Sequence, residues 1–258
     1  MFTFLKYEKQ DGIGTITLNR PEVYNALNDE ITYELQDALK LASKDDEVRV
    51  LILTGEGKAF CSGQDLKSSA GKTRSFKDSL YKRYNPIIKL MRDMPKPIIG
   101  KINGVAAGAG CSLALACDVI VAKEDTPFIE VFVNIGLVPD SGSSYFLPRS
   151  IGSVRAFELA SMGSRLSGKK AAEWGLINAA VTEKEFENTV NHYAGYYAQA
   201  PTKAIGLIKK MLNKSGHSTL NEMLEYEALS QEIAGNTTDY KEGVSAFLEK
   251  RKAEFKGK

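Results

Sequence analysis

Apolar and polar positions alternate along Ile-Gly-Thr-Ile-Thr-Leu at residues 13–18, and more loosely along residues 2–8. The turn Gln10-Asp11-Gly12 between them predicts a pair of antiparallel strands. The period then lengthens: Ile31, Leu35, Ala38, Leu39 and Ala42 fall on one helical face, with Asn28 placed to cap it. Residues 48–54, 97–102 and 119–122 are continuous apolar runs rich in β-branched side chains, the pattern of strands buried on both faces. Between them, 67–78 is polar and irregular, read as a loop or weak helix. Residues 81–94 form a helix offering Ile87, Ile88, Leu90 and Met91 for packing. Beyond 122 the pattern is mixed over 128–135, turns over 136–142, and is helical over 153–162 and 167–174, with Gly175 as a stop. After Pro201 strand signals vanish, and helices are expected at 202–213, 219–234 and 239–254. Loosely recurring strand–strand–helix units indicate an α/β chain, divided into a core over 1–200 and a helical region over 201–258.

The stretch 95–118 organises the rest. Its strand is followed by Asn-Gly-Val-Ala-Ala-Gly-Ala-Gly, where the backbone is nearly bare, and then by the apolar helix-forming run from Cys111 to Cys117. A strand, a small-residue turn and a helix start aim backbone N–H groups at one point, which suits an anion or a developing oxyanion. The same composition also serves close packing of helix on strand. A second glycine-bearing loop, 55–66, leaves the preceding buried strand in the same way.

Composition narrows the chemistry. Hydrophobic residues make up 43% of the 258 positions and charged residues 26%, ordinary for a soluble globular protein. A formal net charge of +2 argues against a polyanionic partner, and the basic residues among the last nine read as a frayed, solvated tail. The opening residues reach Lys6 too soon for a signal peptide, and no uncharged run attains the ~20 residues of a membrane span. Cys61, Cys111 and Cys117 have neither disulfide nor zinc spacing and read as small buried residues of a cytoplasmic protein. With only His192 and His217, both in late polar segments, a Ser-His-Asp hydrolase or histidine metal site is disfavoured; no metal is expected.

Three motifs fail on inspection. Gly108-Ala-Gly110 lacks the third glycine of a dinucleotide loop, which falls at Leu113. Gly71-Lys72-Thr73 lacks the leading glycine of a phosphate loop, which falls at Leu66. Residues 110–114 miss the last glycine of a nucleophile elbow and have no histidine to serve it.

Several blocks taken together resemble the crotonase (enoyl-CoA hydratase/isomerase) superfamily: Asn-Arg-Pro-Glu-Val-Tyr-Asn-Ala-Leu at 19–27, Ala-Phe-Cys-Ser-Gly-Gln-Asp-Leu at 59–66, and Ile-Asn-Gly-Val-Ala-Ala-Gly-Ala-Gly-Cys at 102–111. Leu-Val-Pro-Asp-Ser-Gly at 137–142, Ala-Glu-Trp-Gly-Leu-Ile-Asn at 172–178 and the ending at 242–251 continue the match in order. The resemblance implies a spiral of ββα units with a C-terminal helical trimerisation region, self-associating as a trimer or dimer of trimers. It implies a coenzyme A thioester as substrate, with no permanently bound cofactor. The thioester carbonyl is expected between the N–H groups of Ser62 and Ala109, with Val23, Ala26, Gln64, Asp65 and Leu66 along the coenzyme path. Phe247 and Lys250 are expected to reach the coenzyme of a neighbouring subunit, although Lys250 alone reads as a solvated lysine.

Hydratases of this family use two glutamates, and the matching positions here are Ser112 and Phe132, with Glu130 two residues earlier and on the other face. Neither replacement is a general acid or base. The remaining carboxylate is Asp140, in a turn where aspartate is ordinarily structural. In the resemblance it faces the acyl group. The Pro-Asp-x-Gly turn and the Asp-Tyr-Lys-Glu-Gly-Val-Ser-Ala-Phe-Leu ending are most similar to isomerases acting on 1,2-epoxyphenylacetyl-CoA, of phenylacetate breakdown, or on 3-enoyl-CoA. The expected activity is isomerisation through a thioester enolate, with Asp140 shuttling the proton. The alternatives are hydration of an enoyl-CoA and a non-catalytic relative binding coenzyme A or RNA. For RNA, the near balance of 34 basic and 32 acidic residues offers no basic stripe.

Overall fold

After an opening hairpin, short strands follow one another in pairs, each pair giving one strand to each of two sheets. The computed structural model describes residues 2–69 and 75–258; the Gly71-Lys72-Thr73 motif lies outside them. The larger sheet has the order β1 (Leu5–Gln10), β2 (Ile13–Leu18), β3 (Val50–Gly55), β5 (Ile98–Ile102), β7 (Val119–Lys123) and β10 (Ala179–Val181), parallel except for the β1–β2 hairpin. The smaller sheet has the order β4 (Ala59–Cys61), β6 (Val105–Ala107), β8 (Pro127–Ile129) and β9 (Arg165–Ser167), with only β9 antiparallel. Thus β3–β4, β5–β6 and β7–β8 are successive turns of one spiral, each step short and followed by helix or turn. This is the ββα spiral expected, closed by the C-terminal helices.

The burial pattern explains why the long strands were legible. All six residues of β3 are buried because Leu51 and Leu53 face one core while Val50 and Ile52 face another. The first core takes the apolar face of helix Asp29–Lys44, whose cap Asn28 accepts from the Ile31 N–H at 3.0 Å. The second lies under helix Glu183–Gln199, which contributes Phe186, Val190 and Ala194. Strands β4 and β6, by contrast, lie in stretches expected to be loop; three residues are too few to show a period.

Two helices differ from expectation. The one expected at 81–94 begins at Phe76, passes through a π turn over Leu80–Tyr84 and continues over Asn85–Asp93. Pro86 cannot donate to a regular helix and would crowd the carbonyl four residues back; the wider π turn before it relieves both. The side-chain amide of Gln36 takes up the carbonyls of Lys82 and Arg83, at 3.0 and 3.1 Å. The helix expected at 153–162 extends back to Ser143, broken only where Gly152 adopts φ +77°, ψ 161°.

The C-terminal helices Thr202–Ser215, Leu220–Gly235 and Thr238–Glu249 follow the expected order. Buried Lys209 fastens the first to the core through Asp118 at 2.6 Å and the Met91 carbonyl at 2.7 Å. The final residues are not the frayed tail expected from their charge. Asp239 accepts from the N–H groups of Lys256 and Gly257, at 2.6 and 2.7 Å, and Arg49 donates to the Phe255 carbonyl at 3.0 Å. Among the described residues no helix is long and apolar enough to cross a membrane. All three cysteines are buried and unpaired.

Candidate active site

The two glycine-bearing loops meet because β4 and β6 are neighbours in the small sheet. Glycine is required at the contact. A Cβ on Gly110 would lie 2.2 Å from the Cys61 carbonyl oxygen, so helix Ala109–Leu115 packs its first turn directly on the β4 backbone. Gly63 has φ +93°, and a Cβ there would lie 2.7 Å from the Ala107 oxygen and 3.5 Å from the Ala109 nitrogen. The turn at 62–64 is pinned in turn to the third block. The Leu27 N–H donates to Gly63 O at 2.8 Å, and the Asp65 N–H donates to Leu27 O at 3.0 Å. Three stretches far apart in the chain thereby form one backbone wall. Ala109 is the first residue of its helix, so its N–H has no acceptor within that helix.

Ser62 requires a correction. Its N–H donates to the Tyr24 carbonyl at 3.0 Å, and its hydroxyl donates to Val23 O at 3.3 Å. The expected second oxyanion donor is therefore spent within the protein.

Above this wall is a cavity of about 350 Å³. Ser62, Gly63, Gln64 and Leu66 from the first loop, Gly108 and Ala109 from the second, and Phe132, Leu137 and Asp140 from the segment after β8 line it. Asp140 is the one ionisable side chain among the described lining residues. It is half-buried, and burial pushes its carboxyl above the ordinary range, partly offset by the Ser141 hydroxyl that donates to Oδ1 at 2.8 Å.

The enoyl-CoA hydratase/isomerase family profile matches residues 8–258. The chain belongs to this family, the crotonases. It is 41% identical to the 1,2-epoxyphenylacetyl-CoA isomerase of Escherichia coli K12, with all of both chains covered. It is 34% identical to the trans-2-decenoyl-[acyl-carrier-protein] isomerase of Streptococcus mutans, covering 100% of this chain and 99% of that one. The crystal structure of an enoyl-CoA hydratase from Bacillus anthracis superposes with a TM-score of 0.94 at 32% identity, covering 99% of this chain and 100% of that one. The protein is thus an acyl-CoA enzyme of the crotonase type, an isomerase or a hydratase.

The two positions that carry glutamates in crotonase hydratases are apolar or sealed here. Phe132 is a buried wall of the cavity. Ser112 is fully buried, its hydroxyl 2.9 Å from the Asp140 carbonyl oxygen and 2.8 Å from the Ser143 hydroxyl. Glu130 does face away from the cavity. It is fully buried, with Oε1 2.9 Å from Ser143 Oγ and Oε2 without a hydrogen-bond partner, and burial pushes its carboxyl up to about 7.

Of the residues expected along the coenzyme path, Gln64 and Leu66 line the cavity. Ala26 is buried beside it, and Val23 ends the 3₁₀ turn Pro21–Val23 behind Ser62. Asp65 pairs with Arg20 at 3.0 Å and caps the short helix Leu66–Ser69 through the Ser68 N–H at 3.0 Å. Phe247 and Lys250 stand off the cavity, at the end of the last helix, where Phe247 is 82% exposed.

Phe76, Val131, Asn134 and Ile135 also line the cavity and were not singled out from sequence. Nor was Tyr84, a buried phenol that accepts from Arg83 at 2.8 Å. Burial raises its pKa, and the charge of Asp140 adds to that rise, so the two groups sense each other. The available signal was an arginine and a tyrosine adjacent on a helix otherwise read for its apolar face.

Proposed function

We propose that this crotonase is an acyl-CoA isomerase in which Asp140 takes a proton from one carbon of the acyl chain and returns it at another. The observation that carries the reading is the single ionisable side chain among the described residues lining the cavity, which Ala109 at the start of its helix also lines. Splitting water across a double bond calls for two groups, one activating the water and one protonating carbon. Moving a double bond calls for one. With a 3-enoyl-CoA, Asp140 removes a proton from C2. The electron pair passes into a dienolate whose charge rests on the thioester oxygen, and the protonated Asp140 delivers the same proton to C4, leaving the 2-enoyl thioester.

Ala109 supplies one N–H to the enolate oxygen. Since the Ser62 N–H is engaged with Tyr24, the second donor belongs to the next residues of that turn, Gly63 or Gln64. The raised pKa of Asp140 suits a group that both accepts and gives up a proton. Coenzyme A enters as part of the substrate. The exposed Leu220, Leu224, Val244, Phe247 and Leu248 of the C-terminal helices are the surface through which the chain self-associates, which would bring Phe247 and Lys250 to a neighbour's coenzyme.

The test follows wild type and Asp140→Asn with a 3-enoyl-CoA and with a 2-enoyl-CoA. Isomerisation of the 3-enoyl compound, reduced by about 10²- to 10⁴-fold in the variant, is expected for loss of a general base. Full activity in Asp140→Asn sinks the reading, and hydration of the 2-enoyl compound replaces it with the hydratase alternative. The ring epoxide named for the Escherichia coli relative is the next substrate to try.

A further inference from the structure

Behind Asp140 lies a chain of polar contacts that the proposed chemistry leaves unused. Glu130 Oε1 is 2.9 Å from Ser143 Oγ, which is 2.8 Å from Ser112 Oγ, which is 2.9 Å from the backbone oxygen of Asp140. All four residues are buried or half-buried, and no atom of Glu130 reaches solvent. Each of the three contacts needs one hydrogen. The two serines supply one hydrogen each, and a carbonyl oxygen at the far end supplies none. Were Glu130 ionised, one of the three pairs would set two bare acceptors less than 3 Å apart.

We propose that Glu130 is a neutral acid and a positioning residue for Asp140. It donates the first hydrogen of a one-way relay from Glu130 to Ser143, from Ser143 to Ser112, and from Ser112 to the Asp140 carbonyl. The surroundings agree. The titratable groups facing Glu130 are the Cys111 thiol and Asp140; neither is a positive charge, and hydrogen bonds from Ser143 and the Cys111 thiol offset only part of the effect of burial. Its carboxyl is pushed up to about 7 by burial. With its hydrogen on Oε1, the unpartnered Oε2 is a neutral carbonyl oxygen, far less costly to leave dry than a carboxylate. The relay has a mechanical consequence. Ser112 also sits 3.3 Å from Gly108 O on the helix that carries Ala109, and the Ser143 N–H donates to the Asp140 carbonyl at 3.1 Å. The turn bearing the carboxylate and the helix bearing the N–H donor are thus joined in one frame. The positioning role rests on the reading of Asp140 as the base; the protonation state does not.

Infrared difference spectra between wild type and Glu130→Gln at about pH 6, below the raised value of about 7, test the protonation directly. A carboxylic-acid carbonyl band that disappears in the variant is expected. Its absence overturns the proposal whatever the reaction turns out to be. Kinetics with a 3-enoyl-CoA test the positioning. Misplacing the base in Glu130→Val should lower kcat by about 10- to 100-fold with KM little changed, since Glu130 lines no part of the cavity. Glutamine keeps an N–H to donate to Ser143, so Glu130→Gln should recover most of that loss and abolish the fall in kcat as pH rises above neutrality. A Glu130→Val protein as active as wild type, or a Glu130→Gln protein no better than Glu130→Val, overturns the positioning role. Full activity in Asp140→Asn would remove that role together with the isomerase reading, and the infrared band would still report the state of Glu130.

Discussion

The two walls of the cavity are built from different material. One is backbone: the turn at 62–64 and the start of helix Ala109–Leu115, brought into register by strands β4 and β6 and by glycines with no room for a Cβ. The opposite wall is side chain: Phe132, Leu137 and Asp140 on an irregular segment between β8 and the helix at Ser143. A backbone wall cannot be altered one group at a time without disturbing the packing that makes it. A side-chain position such as 112 or 132 can hold serine or phenylalanine in place of a hydratase's glutamate and leave the fold intact. On the isomerase reading proposed above, stabilising charge on a thioester oxygen falls to the backbone, while what becomes of the enolate falls to replaceable side chains.

Gly63→Ala is the harshest test of that contrast. The new methyl meets the Ala107 oxygen at 2.7 Å from a backbone at φ +93°, so the turn must shift next to the Ala109 nitrogen, 3.5 Å away. Losing alignment of one oxyanion donor should lower kcat by about 10²- to 10³-fold. The strained φ should lower stability by about 1–3 kcal/mol in the same variant. Asp140→Asn should abolish isomerisation and leave the melting temperature unchanged or higher, because it removes a half-buried charge. If Gly63→Ala melts like wild type and keeps its rate, the backbone wall is not the rigid part.

A second contrast is between the carboxyl group that lines the cavity, Asp140, and the one buried behind it, Glu130. Glu130 has a native value of about 7 against 4.5 in the ordinary state. Between these values the native protein holds the proton that the unfolded chain has released, so stability falls as pH rises through this window and is level above it. The size is about 3 kcal/mol. Glu130→Gln has no such proton to lose. Denaturant melts from pH 4 to 8 should show the wild type losing stability relative to this variant; parallel curves would mean that Glu130 ionises in the native state at its ordinary pH.

What could be read from sequence follows the same division. The helix capped by Asn28 and the strands at β3, β5 and β7 announced themselves through period and length. Strands β4 and β6 did not, although they build the site, because three residues carry no period. Resemblance pointed to Ser62 and Ala109, and both line the cavity, but the Ser62 N–H is engaged with Tyr24 O, since the direction of an N–H is a property of the folded turn. Glu130 was assigned to the far side from its spacing to Phe132, as found. Its partnership with Ser143, thirteen residues on, has no signature in one dimension. The basic tail was misjudged because its anchors are backbone groups and the carboxylate of Asp239.

Asp65 gives the smallest effect and separates the backbone wall from its supports. Expected along the coenzyme path, it is paired with Arg20, both side chains nearly buried, and it caps the helix at Leu66. Burial alone would raise its carboxyl, yet the Ser68 N–H and the Arg20 guanidinium together hold it below the usual carboxylate range. Asp65→Asn preserves the cap, since asparagine also accepts from an N–H, and loses the ion pair. The cost should be about 1 kcal/mol at neutral pH. A carboxyl with a lowered native value stabilises above the ordinary value of 3.8, so the difference should vanish as pH falls below it and through the native one. In a double-mutant cycle with Arg20→Gln the two losses should overlap rather than add. The KM for the coenzyme A thioester should stay within about twofold of wild type, because the pair braces the turn from behind. A KM raised tenfold with unchanged stability would return Asp65 to the coenzyme path and make it part of the wall itself.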